Sequence, residues 1–370
     1  MRPRVAIDCR AATARMSGVG RYVVNLVEGL AASGEVGVLG LAGQDLHPAL
    51  AAMSGVEVVE TGWTPAAAGH RARLAWEQRD LSRILARCRP DLVHATWNHG
   101  IPWRGAWPAP AVLTLHDLLP LDLAGQFGDR TQRLSFLASQ YVALWRARRI
   151  VAVSHATRAA LRRHAPLFHG KSVVIHEGVE DRFAPAPILS ARRHLLYVGG
   201  REARKNLAGV FAGYAAADPA LPLCLTGSAD TLGATDAATL SALPARLRAR
   251  IEFLGVVPDA RMPDLYRDAA LLIFPSRGEG FGFPPLEAMA CGTPVIASRA
   301  GSIPEIAGEA ALYVDPDDPA ALGGAIARVL SDTALRGRMV AAGLERAAAL
   351  RWPVCVARTL AVYRDVLRSG

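Results

Sequence analysis

A chain of 370 residues is too long for one ordinary core, so two domains of about 150–190 residues are the natural expectation. With 51% hydrophobic and 6% aromatic residues it fits a globular α/β protein, and no apolar run approaches the roughly 20 residues that cross a bilayer. The net charge of +9 calls for an anionic partner; dispersed arginines and the lack of a recognised binding module argue against nucleic acid and leave an anionic small substrate or membrane surface. The N-terminus runs directly into a strand with no signal-peptide core, and Cys9, Cys88, Cys224, Cys291 and Cys355 are scattered. Both point to a reducing, cytoplasmic setting. Only Lys171 and Lys205 are lysines, which makes Lys205 conspicuous.

In chain order, Val5 to Asp8 predicts a strand and Ser17-Gly18-Val19-Gly20 a turn. Val23, Leu26, Val27 and Leu30 follow at helical spacing. Val36 to Leu41 and Val56 to Val59 are strands, and Arg71 to Cys88 is an amphipathic helix with Leu74, Leu81, Ile84 and Leu85 inward. A strand at Asp91 to Ala95 leads into a loop, Trp97 to Pro110, whose Trp97, Trp103 and Trp107 make either a lid or an ordinary self-packed loop. Ala111 to Leu115 is a buried strand with His116 at its carboxyl end, where doubly wound sheets bind ligands. Asp129 to Arg149 is a helix carrying Leu134, Leu137, Tyr141, Leu144 and Trp145 among arginines. It either packs on the sheet or lies on a membrane surface. The strand Ile150 to Val153, a helix from Ser154 and the strand Ser172 to His176 complete the first half.

Gly178 to Ser190 lacks periodicity and serves as a linker. The strand His194 to Val198 then runs into Gly199-Gly200-Arg201-Glu202-Ala203-Arg204-Lys205-Asn206. Asn206 is a good N-cap for the next helix, so Arg204 and Lys205 stand where cations and amides converge on one anion. Strands follow at Leu221–Leu225, Ile251–Leu254, Ala270–Phe274, Val295–Ala297 and Ala311–Val314, alternating with helices as in a parallel sheet. After Phe274 comes a turn with Gly278, Glu279, Gly280, Phe281, Gly282 and Phe283, then Pro284, Pro285, Leu286 and Glu287 opening a helix that Gly292 stops. Such a loop offers amides to phosphate and carboxylates to hydroxyls, which suits a sugar joined to a nucleotide. Two helices close the chain, with Trp352 as anchor of the last.

The stretch from Pro275 to Ser298, with Glu279 and Glu287 separated by seven residues among glycines, resembles the signature of the retaining glycosyltransferases of family 4, and the resemblance covers most of the chain. It implies the GT-B fold: two facing Rossmann-like domains with parallel sheets and a cleft between them. The boundaries expected are 1–182 for the acceptor-side domain, 183–350 for the nucleotide-sugar domain and 351–370 for a helix crossing back to the first. By the same resemblance Gly18 and Gly20 lie near donor and acceptor, His116 contacts the donor sugar, and Arg204 and Lys205 hold the donor diphosphate with the N–H groups near Pro284 to Leu286. Gly199 and Gly200 occupy the place of a further arginine in some members, with Arg201 as the candidate substitute. Phe253 to Pro258, including Val256, holds the base through backbone groups, and Gly227 lines the same pocket. Glu279 takes a sugar hydroxyl and Glu287 the ribose, with Gly280, Phe281, Gly282, Phe283 and Leu286 around them.

No second strand-end carboxylate suits a general base, and no Asp-x-Asp stands in a donor loop; Asp315-Pro316-Asp317 looks like a turn. A metal-independent transferase without cofactor is therefore expected. The opening Ile7-Asp8-x-Arg10 and the Leu115-to-Pro120 turn resemble bacterial mannosyltransferases of O-antigen and exopolysaccharide assembly. GDP-mannose leads as donor, with UDP- and dTDP-sugars open. The acceptor is a glycan or a lipid-linked saccharide, at the inner face of the membrane if the basic first half makes peripheral contact. A glycoside hydrolase, a non-catalytic sugar-nucleotide-binding subunit, an epimerase and a phosphorylase are the rivals.

Overall fold

The computed structural model describes residues 2–14, 17–63, 70–103, 109–122, 130–186 and 192–369. Trp107 of the Trp97–Pro110 loop, Pro187 of the linker and the start of the expected helix at Asp129 lie outside them. The chain divides into two compact units: Met1–Gly178 with Trp352–Gly370, and Val179–Arg351. The divisions fall at 178/179 and 351/352, where the sequence suggested 182/183 and 350/351.

In the first unit the short apolar runs form parallel strands, the central ones buried on both faces as crossover helices require and the edge strands partly exposed. They are β1 Arg4–Asp8, β2 Gly37–Ala42, β3 Val56–Glu60, β4 Leu92–Ala95, β5 Ala111–Leu115, β6 Arg149–Ala152 and β7 Ser172–Val174. The sheet order β3-β2-β1-β4-β5-β6-β7 is doubly wound and reverses between β1 and β4, the place where such sheets bind ligands outside their carboxyl ends. Leu39, Leu85, Leu113, Leu115, Leu144 and Leu161 are among its core.

Gly18 and Gly20 are not a free turn. The helix Gly18–Ser33 already includes them, because Ser17 Oγ caps it by accepting from Gly20 N at 3.0 Å. This helix packs against the last one, Trp352–Arg368, at Gly29, where any Cβ would collide with Val356. Tyr363 on the last helix bonds His94 Nδ1 at 2.6 Å, and buried Trp352 sits beside Tyr22.

One helix of this unit differs from expectation, and a second shows which of its residues are buried. Arg71 to Cys88 is broken into His70–Trp76, a π turn at Glu77–Leu81, and Ser82–Cys88; a π turn inserts one extra residue, and Glu77 is buried there. The helix Arg130–Arg146 buries Ser139, Gln140, Ala143 and Leu144. Of its five apolar residues Leu134, Leu137, Tyr141, Leu144 and Trp145 only Leu144 is buried, while Leu134, Tyr141 and Trp145 are exposed.

The second unit has β8 His194–Tyr197, β9 Leu223–Leu225, β10 Ile251–Phe253, β11 Ala269–Phe274, β12 Val295–Ser298 and β13 Ala311–Val314. Their parallel order, β10-β9-β8-β11-β12-β13, reverses between β8 and β11. The helices Leu207–Ala217 and Pro319–Ser331 approach closely at two glycines: a Cβ on Gly213 would stand 2.5 Å from Leu322, and one on Gly323 2.6 Å from Ala216. Asp315 Oδ1 accepts from Asp317 N at 2.9 Å, so this Asp-x-Asp is a side-chain-closed turn.

Candidate active site

In the second unit, the loops after β8 and β11 leave the sheet where its strand order reverses. The β8 loop ends in a single tight turn, Ala203–Lys205, and the β11 loop runs to Gly282, where the helix Phe283–Ala290 begins. They meet at Glu279. Its Oε1 accepts from Lys205 Nζ at 2.7 Å and from Ser276 Oγ at 2.6 Å, and its Oε2 lies 2.9 Å from Arg204 Nη1. Arg204 also donates to Gly278 O at 2.9 Å. The Glu279 side chain is only 8% exposed. Burial alone would raise its pKa, but Lys205 and Arg204 outweigh burial and hold it below the usual glutamate range. One buried carboxylate thus fixes two cations, and the exposed Glu202 approaches Arg204 Nη2 at 3.8 Å.

Asn206 occupies the N-cap position but does not cap. It takes a left-handed conformation (φ 57°), and its amide donates to Pro275 O and Pro316 O at 3.3 and 2.7 Å. It therefore ties the β8 loop to the β11 loop. Ser302 Oγ bonds Glu279 O and Phe281 O at 3.1 and 2.6 Å. Gly301 (φ 58°) lies so close that a Cβ there would stand 2.5 Å from Glu279 O.

The helix opening is less generous than expected, because Pro284 and Pro285 have no N–H; Phe283 and Leu286 supply the first-turn amides. Gly282 turns the chain at φ 106°, and the Phe281 and Phe283 rings meet edge-on at 5.3 Å. Gly280, one residue beyond Glu279, is part-buried in the same loop. Glu287 does not join Glu279: it is buried on the helix and accepts from Tyr266 Oη at 2.8 Å.

Arg201 does not turn toward Lys205. Its Nη2 donates to Thr226 O at 2.9 Å, its guanidinium lies over the Phe253 ring at 5.8 Å, and Nε and Nη1 are buried without a partner among the described residues. Gly227 (φ 90°) leaves it room, since a Cβ there would stand 2.8 Å from Nη2. Gly227 N bonds Gly255 O at 2.7 Å, joining the loops after β9 and β10, with Val256 94% exposed beside them. Gly199 N bonds Thr226 Oγ1 at 3.3 Å, and Gly200 O accepts from Tyr197 Oη at 3.2 Å.

In the first unit His116 lies buried at the end of β5. Nε2 bonds Thr96 O at 2.8 Å, and Nδ1 lies 3.1 Å from Glu177 Oε1. Burial opposes its charged form, yet Glu177 and the Thr96 carbonyl prevail and raise its pKa. Nε2 is thus taken up by the Thr96 carbonyl, while Nδ1 stands near Glu177 without a hydrogen bond to Oε1. Sequence reasoning missed Glu177, Ser276, Ser302 and Tyr266, and in the first unit a buried chain of Asp8, Arg10, Glu77 and His99. The one signal for that chain was the Ile-Asp-x-Arg opening.

The family description "Glycosyltransferase Family 4" matches residues 16–183, and "Glycosyl transferases group 1" matches 180–346. The O-antigen chain mannosyltransferase B of Escherichia coli is 29% identical, over 94% of this chain and 96% of its own length. A D-inositol 3-phosphate glycosyltransferase of Geodermatophilus obscurus is 30% identical over 74% of this chain and 66% of its own. Sucrose-phosphate synthase from Thermosynechococcus elongatus superposes with a TM-score of 0.82 at 24% identity, each chain covered completely. Anabaena HepE, solved with UDP and glucose, superposes at 0.76 with 16% identity over 98% of this chain and 100% of its own. The fold is GT-B, two α/β domains built on parallel sheets. The two matches together cover residues 16 to 346, and a relative of matching length aligns with 94% of the chain: the chain belongs to the family 4 and group 1 glycosyltransferases and is a hexosyltransferase.

Proposed function

We propose that the protein transfers mannose from GDP-mannose, with retention and without a metal ion, to a glycan or lipid-linked saccharide. The observation that carries this is the Arg204–Lys205–Glu279 cluster at the strand-order reversal of the second unit. Two cations held in place by one buried carboxylate form a preorganised site for a departing diphosphate. Charge that develops there is stabilised without reorganisation, often the largest contribution to catalysis. The Phe283 and Leu286 amides add donors at a helix start, where anions are favoured. Fixed cations can do for the leaving group what a metal ion does elsewhere. Glu279 orients the two cations, and Glu287 orients Tyr266 from inside the unit.

Mannose rests on the full-length likeness to the O-antigen mannosyltransferase. UDP-glucose is the second reading, favoured by the likeness to HepE. The glycan acceptor follows from the same relatives. Among the described residues no helix is long and apolar enough to cross a membrane. Peripheral contact at the inner face of a membrane is supported by the helix Arg130–Arg146, which exposes Leu134, Tyr141 and Trp145 among its arginines. Incubation with labelled GDP-mannose, UDP-glucose and dTDP-rhamnose, with and without EDTA, tests the reading. It expects sugar transfer and nucleoside diphosphate release from GDP-mannose, unaffected by EDTA. Turnover of the other donors alone, or loss of turnover in EDTA, overturns the corresponding part.

A further inference from the structure

We propose that His99 is the hydroxyl-recognising residue of a saccharide subsite in the first unit: its Nε2 accepts the hydrogen of an acceptor hydroxyl beside the Trp97 ring. The inference rests on the glycosyltransferase reading above and names the group of the first unit that reads the acceptor.

His99 follows β4, and Asp8 ends β1, so both lie where the sheet order reverses. Arg10 grips Asp8 through Nε and Nη2, at 2.8 and 2.6 Å, and its guanidinium lies over Trp63 and Trp76, 5.6 and 4.7 Å from the ring centres. The same Nη2 reaches Glu77 Oε1 at 3.3 Å, and that oxygen lies 2.7 Å from His99 Nδ1. An ionised carboxylate only accepts, so Nδ1 carries the hydrogen and Nε2 of the neutral ring is a bare acceptor. Burial disfavours the charged imidazole, while Arg10 and Arg73 flank the pair and favour ionised Glu77.

Nε2 itself is buried and has no partner among the described residues, in a side chain 4% exposed. Buried polar atoms are almost always paired. The neighbouring His94 obeys that rule and uses both nitrogens, on Tyr363 and Thr114 at 2.6 and 2.7 Å. A packing histidine would resemble it. His99 is instead oriented by a carboxylate and left half-used. Trp97, 37% exposed, stands with its ring centre 4.7 Å from the imidazole and tilted 37° to it, and offers an aromatic face to a pyranose ring.

The test is 15N NMR of the imidazoles in the full chain, with methyl α-mannoside, methyl N-acetyl-β-glucosaminide and inositol 3-phosphate as probes. Nδ1 should be protonated and Nε2 bare, and one of the three probes should shift the Nε2 resonance upfield. For that probe His99→Phe should raise the apparent KM about tenfold or more, the loss of one hydrogen bond, with donor Kd within about twofold by calorimetry. His99→Gln, which restores an acceptor oxygen, should recover part of the loss. A protonated Nε2, a resonance that no probe moves, or a wild-type acceptor KM in His99→Phe overturns the proposal. If the wild-type protein binds no nucleotide-sugar, the reading of function falls as well; if it binds and transfers while His99 variants behave normally, only this inference falls.

Discussion

Glu279 illustrates how much one buried carboxylate can organise. It is nearly enclosed, yet Lys205 and Arg204 keep it ionised. Its stabilising contribution is therefore present above the ordinary glutamate range and fades as pH falls through its lowered pKa. Breaking a buried pair by removing one partner leaves uncompensated charge, so Glu279→Gln is expected to cost about 3–5 kcal/mol of unfolding free energy. Urea denaturation at neutral pH checks it; a loss under about 1 kcal/mol would mean that water already screens the cluster. Gly301 is a second residue with an outsized effect. A Cβ there meets the Glu279 backbone at 2.5 Å, and φ is 58°. Gly301→Ala should destabilise by about 1–3 kcal/mol and lower turnover, because the strain falls on the loop that holds Glu279. Denaturation and steady-state rates on one preparation separate this from a purely local defect.

Among elements, the π turn at Glu77–Leu81 does the most to shape the first unit, since it is where Glu77 meets Arg10 and His99. Burial would raise the Glu77 pKa, but His99, Arg10 and Arg73 together bring it down to about 2. A lowered carboxylate pKa stabilises the fold above the usual value, and that stability drains away as pH falls from about 4.5 toward 2. Indole fluorescence, which includes Trp63 and Trp76 beside Arg10, should follow a loss on the order of 3 kcal/mol over this range. Glu77→Gln should flatten that part of the profile, and an unchanged profile would contradict the assignment. The π turn itself was hidden from the sequence. Leu74, Leu81, Ile84 and Leu85 fit an uninterrupted helix, and only the distant partner of Glu77 explains the extra residue. The helix Arg130–Arg146 was legible to within a few residues, but its orientation was not: Leu144 is buried while Leu134, Tyr141 and Trp145 are exposed, so the apolar residues do not share one buried face.

At the scale of the whole molecule, both sheets were legible because buried parallel strands are short apolar runs bounded by glycine, proline and polar turns. The loop from Pro275 to Gly282 was legible too, since its chemistry is local in sequence. The bonds that lock it were not. Asn206 reaches Pro316 across 110 positions and Lys205 reaches Glu279 across 74, and neither partner can be named from spacing alone. Asn206 shows the cost of local reasoning, because a residue well suited to capping was recruited to join two loops. If the second unit is built to hold a nucleotide diphosphate, ligand should stabilise the folded chain by mass action. A donor at about 100 times its Kd should add about 2.7 kcal/mol, seen as a rise in Tm. The account stands or falls on whether Arg204 and Lys205 grip the diphosphate, and calorimetric binding of GDP and GMP to the wild-type protein and Lys205→Ala tests this most directly. The account predicts that GDP binds far more tightly than GMP to the wild type, and that Lys205→Ala shrinks that ratio by about tenfold or more, as loss of a charged hydrogen bond would. An equal GDP-to-GMP ratio in both proteins would contradict it.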